Sequence, residues 1–250
     1  APRPAPSQIL GPSRSRWRRA DVLVAALVLF AVAGLAISAL PAVWYRQQVY
    51  ACQNNLRLFH QALTDYSQRH GGAFPKVEDQ PPRNVAGIFV PILEDSGALP
   101  DDVTVACPAD GHQKPPAVTL AQLEEMQKDR PGQFDALARR LAGCYAYSLG
   151  YGDPSNHAGL RVEDGDYLPI LSDAPDFRGN DVAPGNSPNH GGRGQNVLYI
   201  DGHARFATTR AAGVAGDDIF VNQQGRVGAG CNRYDSVLGA SAATPFPWEP

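Results

Sequence analysis

The 250-residue chain has no charged side chain from Val22 to Trp44 and no acidic residue before Asp21. It has no cysteine pair spaced as CxxC, a single methionine and no internal repeat. GxSxG, P-loop and HExxH signatures are absent, as is a GxGxxG set between a strand and a helix. The missing motifs leave no signature for the common hydrolase, nucleotide-binding and zinc-protease classes. The missing repeat excludes a solenoid.

The uncharged run is long enough to matter. At ~1.5 Å per residue it makes a helix of roughly 34 Å, enough for a hydrocarbon core of about 30 Å. Mean hydropathy of the whole chain is only -0.28, so an apolar span precedes a water-soluble body. A signal-peptide core is about half as long, and no A-x-A-like cleavage site follows, so a retained anchor is expected. Arg3, Arg14, Arg16, Arg18 and Arg19 precede the span, whereas Arg46 alone closely follows it. The positive-inside rule then puts the N-terminus in the cytoplasm and the body outside. Setting those five arginines aside leaves 17 basic against 25 acidic residues. A body this acidic lacks the basic face that nucleic acid requires.

The division that follows is a basic tail over 1–19, a transmembrane helix over 20–45 and one α+β domain over 46–250. The tail holds four prolines and three serines and cannot bury enough apolar area to order by itself. Beyond the span, Val49, Cys52, Leu56, Phe59, Leu63 and Tyr66 recur at intervals of three or four, one apolar stripe on a helix. With Gly71-Gly72 as its stop, one helix from about Ala20 to His70 is predicted, with Pro41 a candidate kink.

After Phe74-Pro75 the chain is rich in loops. A short helix is expected around Val85–Asp95 and a brief strand over Val103–Cys107. Two amphipathic helices follow, one capped by Thr119 and one after the Pro131-Gly132 break through Phe134, Leu137 and Leu141. Cys144–Ser148 and Tyr167–Leu171 read as strands. Asn196–Phe206 reads as a hairpin around Asp201-Gly202, where a type I′ turn is expected. Asp217–Gly239 suits a closing strand or an ordered loop.

Candidate sites are few. Cys52, Cys107, Cys144 and Cys231 lie outside the span, in a compartment where disulfides persist. Two bridges in three connectivities are open, with zinc ligation as the other use. Cys107 with Cys144 is the preferred pair because both sit at edges of strand-like segments, and Cys52 and Cys231 stay unassigned. Asp173, Asn189, His190, Asp201 and His203 flank segments that converge if Tyr167–Leu171 pairs near the hairpin. Carboxylates and imidazoles at strand ends suit a divalent cation, with Asp173, His190, Asp201 and His203 as ligands. The competing reading gives Asp201 to the turn and the histidines to local hydrogen bonds. Asp164 and Asp166 form a weaker calcium candidate, and Gly191-Gly192-Arg193-Gly194 an anion cradle or a plain flexible approach to the hairpin.

These residues carry a resemblance. Pro41-Ala42-Val43, then Ala51-Cys-Gln-Asn-Asn-Leu-Arg57 with its Cys52, Asn54 and Asn55, then Gly71-Gly-Ala-Phe-Pro75, resemble bacterial prepilin-like proteins related to type II secretion pseudopilins. Ser187 to His203 resembles their processing-associated motif, a histidine followed about nine residues later by Asp-Gly. Here ten residues separate His190 from Asp201-Gly202. The resemblance implies a long N-terminal helix, anchored in a bacterial inner membrane, whose outer half packs on a small antiparallel sheet; the missing catalytic signatures lead to the expectation of no catalytic residues and no cofactor beyond the candidate divalent cation. The resemblance also implies a role in assembly at the cell envelope, with like subunits or other envelope proteins as partners. Aligned so that Asp21 takes the family's fifth-position glutamate, Arg16 replaces the glycine before the cleavage point and Arg18-Arg19 replace apolar residues; aligned on Pro41-Ala42-Val43 instead, Val24 takes that fifth position. An anchored binding or scaffold module that never polymerises is the second expectation, and a metal-assisted hydrolase built on Asp173, His190, Asp201 and His203 the third.

Overall fold

The structure, a computed structural model, describes residues 19–99, 106–107, 117–178 and 181–247. The basic tail and most of the strand expected at Val103–Cys107 lie outside the described residues. The chain divides between Trp44 and Tyr45 into two units.

Helix α1 (Arg19–Arg69) runs for 51 residues with Pro41 inside it. In the first unit its large apolar side chains face outward, Phe30 at 82% exposed and Leu35 at 72%. The most apolar window has a hydropathy of 2.7 and none of it is buried. By length and composition this is a candidate single-pass membrane anchor, since exposed apolar surface on that scale is not stable in water.

In the second unit the same helix turns its stripe inward: Cys52, Leu56, Phe59 and Leu63 are fully buried. Each large apolar side chain so buried stabilises the fold by about 1.5–3 kcal/mol. The helix stops as the paired glycines predict, with Gly71 and Gly72 at φ of +62° and +87° and the Gly72 amide donating back to the Ser67 carbonyl.

Three short helices follow. A 3₁₀ turn (Ala86–Ile88) leads into α2 (Phe89–Asp95), where Pro91 falls in the first turn and its missing N–H costs no bond. Helix α3 (Leu120–Asp129) starts in a capping box: the Thr119 hydroxyl accepts from the Gln122 amide and the Gln122 side chain accepts from the Thr119 amide. Helix α4 (Pro131–Ala138) opens on Pro131 itself, and Leu141 lies beyond its end. Proline's fixed φ suits the first helical position, so the expected break is a start.

The strands are β1 (Tyr145–Ser148), β2 (Pro169–Asp173), β3 (Phe177–Arg178), β4 (Asp181–Val182), β5 (Gln195–Tyr199), β6 (Ala204–Ala207) and β7 (Leu238–Gly239). Five form an antiparallel sheet in the order β6-β5-β2-β1-β7, and β3 pairs with β4 separately. The protein is therefore α+β, with a long apolar helix and a small antiparallel sheet. Both faces of the sheet are covered. Tyr145, Tyr147, Leu171 and Leu198 join α1 and α2 in the main core, while Ala146, Val197, Tyr199 and Leu238 pack with Ala212, Ile219 and Phe220 behind. The main core is aromatic at its centre: Phe59 meets Tyr145 at 5.4 Å, and Phe89 stacks on Tyr147 at 4.4 Å.

Two expectations need correcting. Strand β2 lies two residues later than Tyr167–Leu171, because the chain turns at Gly165–Leu168 before pairing, and Asp173 is the strand's last member. The hairpin is present, but its turn is not type I′. The Tyr199 carbonyl accepts from the Gly202 amide, the Tyr199 amide donates to the His203 carbonyl, and Gly202 at φ +88° is the turn residue with positive φ. That is a three-residue loop with a bulge glycine, which needs one left-handed residue instead of two.

Replacing Phe59 with alanine is expected to lower the stability of the detergent-solubilised chain by about 3–5 kcal/mol. Replacing Phe30 should leave thermal unfolding, followed by circular dichroism, within experimental error of the parent.

Candidate functional site

Register builds the site. Tyr145 on β1 pairs with Asp173 on β2, and Leu171 pairs with Leu198 on β5, so Tyr145, Asp173 and Asn196 fall in one row across the sheet. Helix α1 crosses this row, and the spacing of three between Cys52 and Asn55 aims both at it. The Cys52 thiol donates to Asp173 Oδ1 at 2.9 Å and lies 3.6 Å from the Tyr145 hydroxyl. Asn55 donates to that hydroxyl at 3.3 Å and to the Ala106 carbonyl at 3.4 Å. Asn54, next in sequence, points outward and accepts from Arg57.

A 3₁₀ turn (Pro188–His190) delivers the other half. The Ser187 hydroxyl caps it by accepting from the Asn189 amide and is itself tied to the Ala174 carbonyl at 2.6 Å. Gly191 and Gly192, at φ of +66° and +72°, then reverse the chain into β5. Asn189 and His190 are left facing the core, 5% and 3% exposed. The glycine run is thus a turn that aims a histidine.

Asp173 is the hub. It is fully buried and accepts from the Asn196 amide at 2.6 Å, from Asn196 Nδ2 at 3.0 Å and from Asn189 Nδ2 at 3.4 Å, besides the Cys52 thiol. His190 Nε2 lies 3.1 Å from its second oxygen. The Cys107 thiol stands 3.8 Å from the same ring nitrogen, and the Cys107 amide donates to the Cys144 sulfur. Tyr45 and Phe206 close over the imidazole edge-on, with ring centres at 6.4 and 5.7 Å.

The electrostatics follow from this packing. Burial pulls the His190 imidazole down, but its bonds to Asp173 and Cys107 outweigh that and lift it to about 9. The Cys52 thiol is pushed far up by its contact with Cys107, by burial and by the Asp173 charge. Cys144 is raised too, first by Cys107 and then by burial. Reactive cysteines need the opposite shift and access to solvent. The geometry also excludes a Cys-His-Asp relay. In such a triad the nucleophile and the orienting acid occupy different ring nitrogens. Here Cys107 and Asp173 both approach Nε2, and Nδ1 has no hydrogen-bond partner among the described residues.

The residues expected to act together are divided. Asp173 and His190 join the buried cluster. Asp201 and His203 sit on the hairpin turn, exposed, where His203 Nδ1 meets Asp201 Oδ1 at 2.5 Å and the His203 ring stacks on Tyr199. There the Asp201 carboxyl is lowered: slight burial opposes this, and the hydrogen bonds from His203 prevail. Gly202 packs against the His60 ring of α1, which bonds to the Ile200 carbonyl at 3.0 Å, and a Cβ there would fall 2.6 Å from the ring. The Asp-Gly of the motif therefore hangs the hairpin on α1. Asp164 accepts from the Arg161 amide as a turn cap. Cys107 and Cys144 are neighbours, and all four cysteines are thiols in this structure. Sequence reasoning missed Cys52 and Cys107 as partners of Asp173 and His190. Cys52 was concealed by its place in an apolar stripe, although Asp173 and His190 themselves gave a signal. Clefts lined by Arg139, Val227 and Ser241 and by Tyr66, His70 and Glu78 include no member of the cluster.

No protein-family model, curated protein or solved structure matches this chain.

Asp173→Ala strands several buried donors and an imidazole. It is expected to cost about 3–5 kcal/mol, whereas Asp201→Ala on the exposed turn should cost under about 1 kcal/mol. Urea midpoints of the two variants measured side by side test this; equal midpoints would remove Asp173 from the centre of the fold.

Proposed function

We propose that this protein is a membrane-anchored, non-enzymatic assembly protein of the bacterial cell envelope, similar in plan to the pseudopilins. The observation that carries the reading is the division of labour within α1. One stretch is uniformly apolar and exposed, and the next supplies the buried stripe on which the sheet is laid. A helix used in both ways supplies both a membrane anchor and part of the core of the globular domain. That arrangement suits a structural subunit better than a freely diffusing catalyst.

The single helix is placed in the inner membrane with its arginine-rich end in the cytoplasm and the acidic domain outside, as the flanking charges favour. Like subunits or other envelope proteins are the proposed partners. The sealed cluster around Asp173 supports the non-enzymatic reading, because substrates cannot reach fully buried thiols and the ring nitrogen lacks a relay. A second arrangement, an anchored scaffold that stays single, is favoured by one observation. Aligned on Asp21, Arg16 and Arg18-Arg19 fall where a prepilin-like cleavage site has glycine and apolar residues, and aligned on Pro41-Ala42-Val43, Val24 falls where it has the glutamate.

Expressed in a bacterial host, the full chain should fractionate with membranes and resist alkaline extraction. Protease added from outside the inner membrane should digest the domain. Recovery of the uncut full chain in the soluble fraction would end the proposal. Intact mass separates its two forms: an uncut N-terminus without filaments favours the scaffold, and a trimmed one with filaments favours the pilin-like subunit.

A further inference from the structure

We propose that Cys52, Cys107, His190 and Asp173 bind one thiophilic divalent cation, zinc in the first instance, in a closed four-ligand site. Their donor atoms all lie within 4.8 Å of one another, and all four residues are buried. Individual separations are 2.9 Å from Cys52 Sγ to Asp173 Oδ1, 3.1 Å from His190 Nε2 to Asp173 Oδ2 and 3.8 Å from Cys107 Sγ to His190 Nε2. A tetrahedral zinc ion with bonds of about 2.0–2.3 Å holds its donors roughly 3.3–3.8 Å apart. The cage is therefore close to size before any ion enters.

Donor chemistry selects the cation. Two sulfurs and an imidazole favour zinc over calcium or magnesium, which take oxygen ligands. Hydrogen bonding points the same way. His190 Nε2 is approached at once by the Asp173 carboxylate, the Cys107 thiol and Asn196 Nδ2 at 2.9 Å, more groups than a single proton or lone pair can serve. A cation at the centre lets the nitrogen, both sulfurs and the carboxylate all act as donors to it. Two thiolates and a carboxylate around a divalent ion leave about one negative charge. The amide groups of Asn189 and Asn196 already face that charge through Asp173. The Cys107 amide donates to the Cys144 sulfur beside this ligand.

With four protein ligands there is no open position, so the ion would be a structural staple. It would tie α1, the segment at Cys107, the end of β2 and the turn before β5 together at one point, the task a disulfide performs in many exported domains. The inference rests on the cluster and not on the anchor, so it stands or falls independently of the envelope role.

The full chain, purified in detergent with reductant and without chelator, should contain one zinc per chain by elemental mass spectrometry. Zinc-edge X-ray absorption should fit two sulfur and two nitrogen or oxygen neighbours. Exchange with cobalt should give thiolate charge-transfer absorption and the visible bands of a tetrahedral ion. Cys52→Ser and His190→Gln should each weaken metal retention at least tenfold against a chelator, while Cys231→Ser should retain the ion fully. The spectra of the unmodified chain decide the matter even if a variant fails to fold. Three results would overturn the site: no metal uptake by fully reduced protein dialysed against zinc, full retention in both ligand variants, or Cys52 or Cys107 found in a disulfide in protein isolated without reductant from membranes.

Discussion

A carboxylate with no solvent exposure must find its hydrogen-bond donors inside the protein or cost several kcal/mol, and Asp173 finds them on three separate segments. The Cys52 thiol comes from α1, the backbone and side chain of Asn196 from β5, the Asn189 amide and the His190 ring from the turn before it. None of these segments can shift by a residue without stranding a buried charge. Apolar packing is forgiving of small slips, whereas this arrangement is not. Asp173 thus sets the register of β2 against its neighbours and the rotation of α1 about its own axis, and the aromatic stack of Phe59, Phe89, Tyr145 and Tyr147 fills the space that results.

The chemistry of the cluster follows from that constraint. Groups that are reactive elsewhere are buried here and bonded to one another. The thiols are pushed up, and the imidazole shares one nitrogen between a sulfur and a carboxylate. Tyr45 and Phe206 cover the ring, and Arg193 lies over Tyr45 at 4.7 Å. The proposed metal staple and the proposed envelope role are compatible: a domain outside the cytoplasm, held by one helix, benefits from a cross-link at the point where that helix meets the sheet.

Much of the frame is legible from residues alone. Helix α1 was readable to within a residue at each end because its signals are local: an uncharged run, a three-four apolar rhythm and two glycines able to adopt positive φ. Thr119 and the Asp201-Gly202 hairpin were legible for the same reason. The failures are non-local. Strand β2 starts two residues after Tyr167 because the chain first turns at Gly165–Leu168, and it extends to Asp173, whose buried partners are distant in sequence. The four expected metal ligands are grouped in the sequence because they flank segments that converge if Tyr167–Leu171 pairs near the hairpin. Yet β5 carries two of them apart, His190 into the core and Asp201 to an exposed turn.

The sequence by itself determined the anchor-like helix, the acidic body, the α+β class and the hairpin, since each depends on periodicity, charge or turn chemistry within a few residues. Only the tertiary structure decided that Cys52, Cys107, Asp173 and His190 meet, because positions up to 138 apart are brought together by strand register and helix rotation. Those depend on satisfying buried polar groups throughout the domain, and no window of sequence contains that requirement.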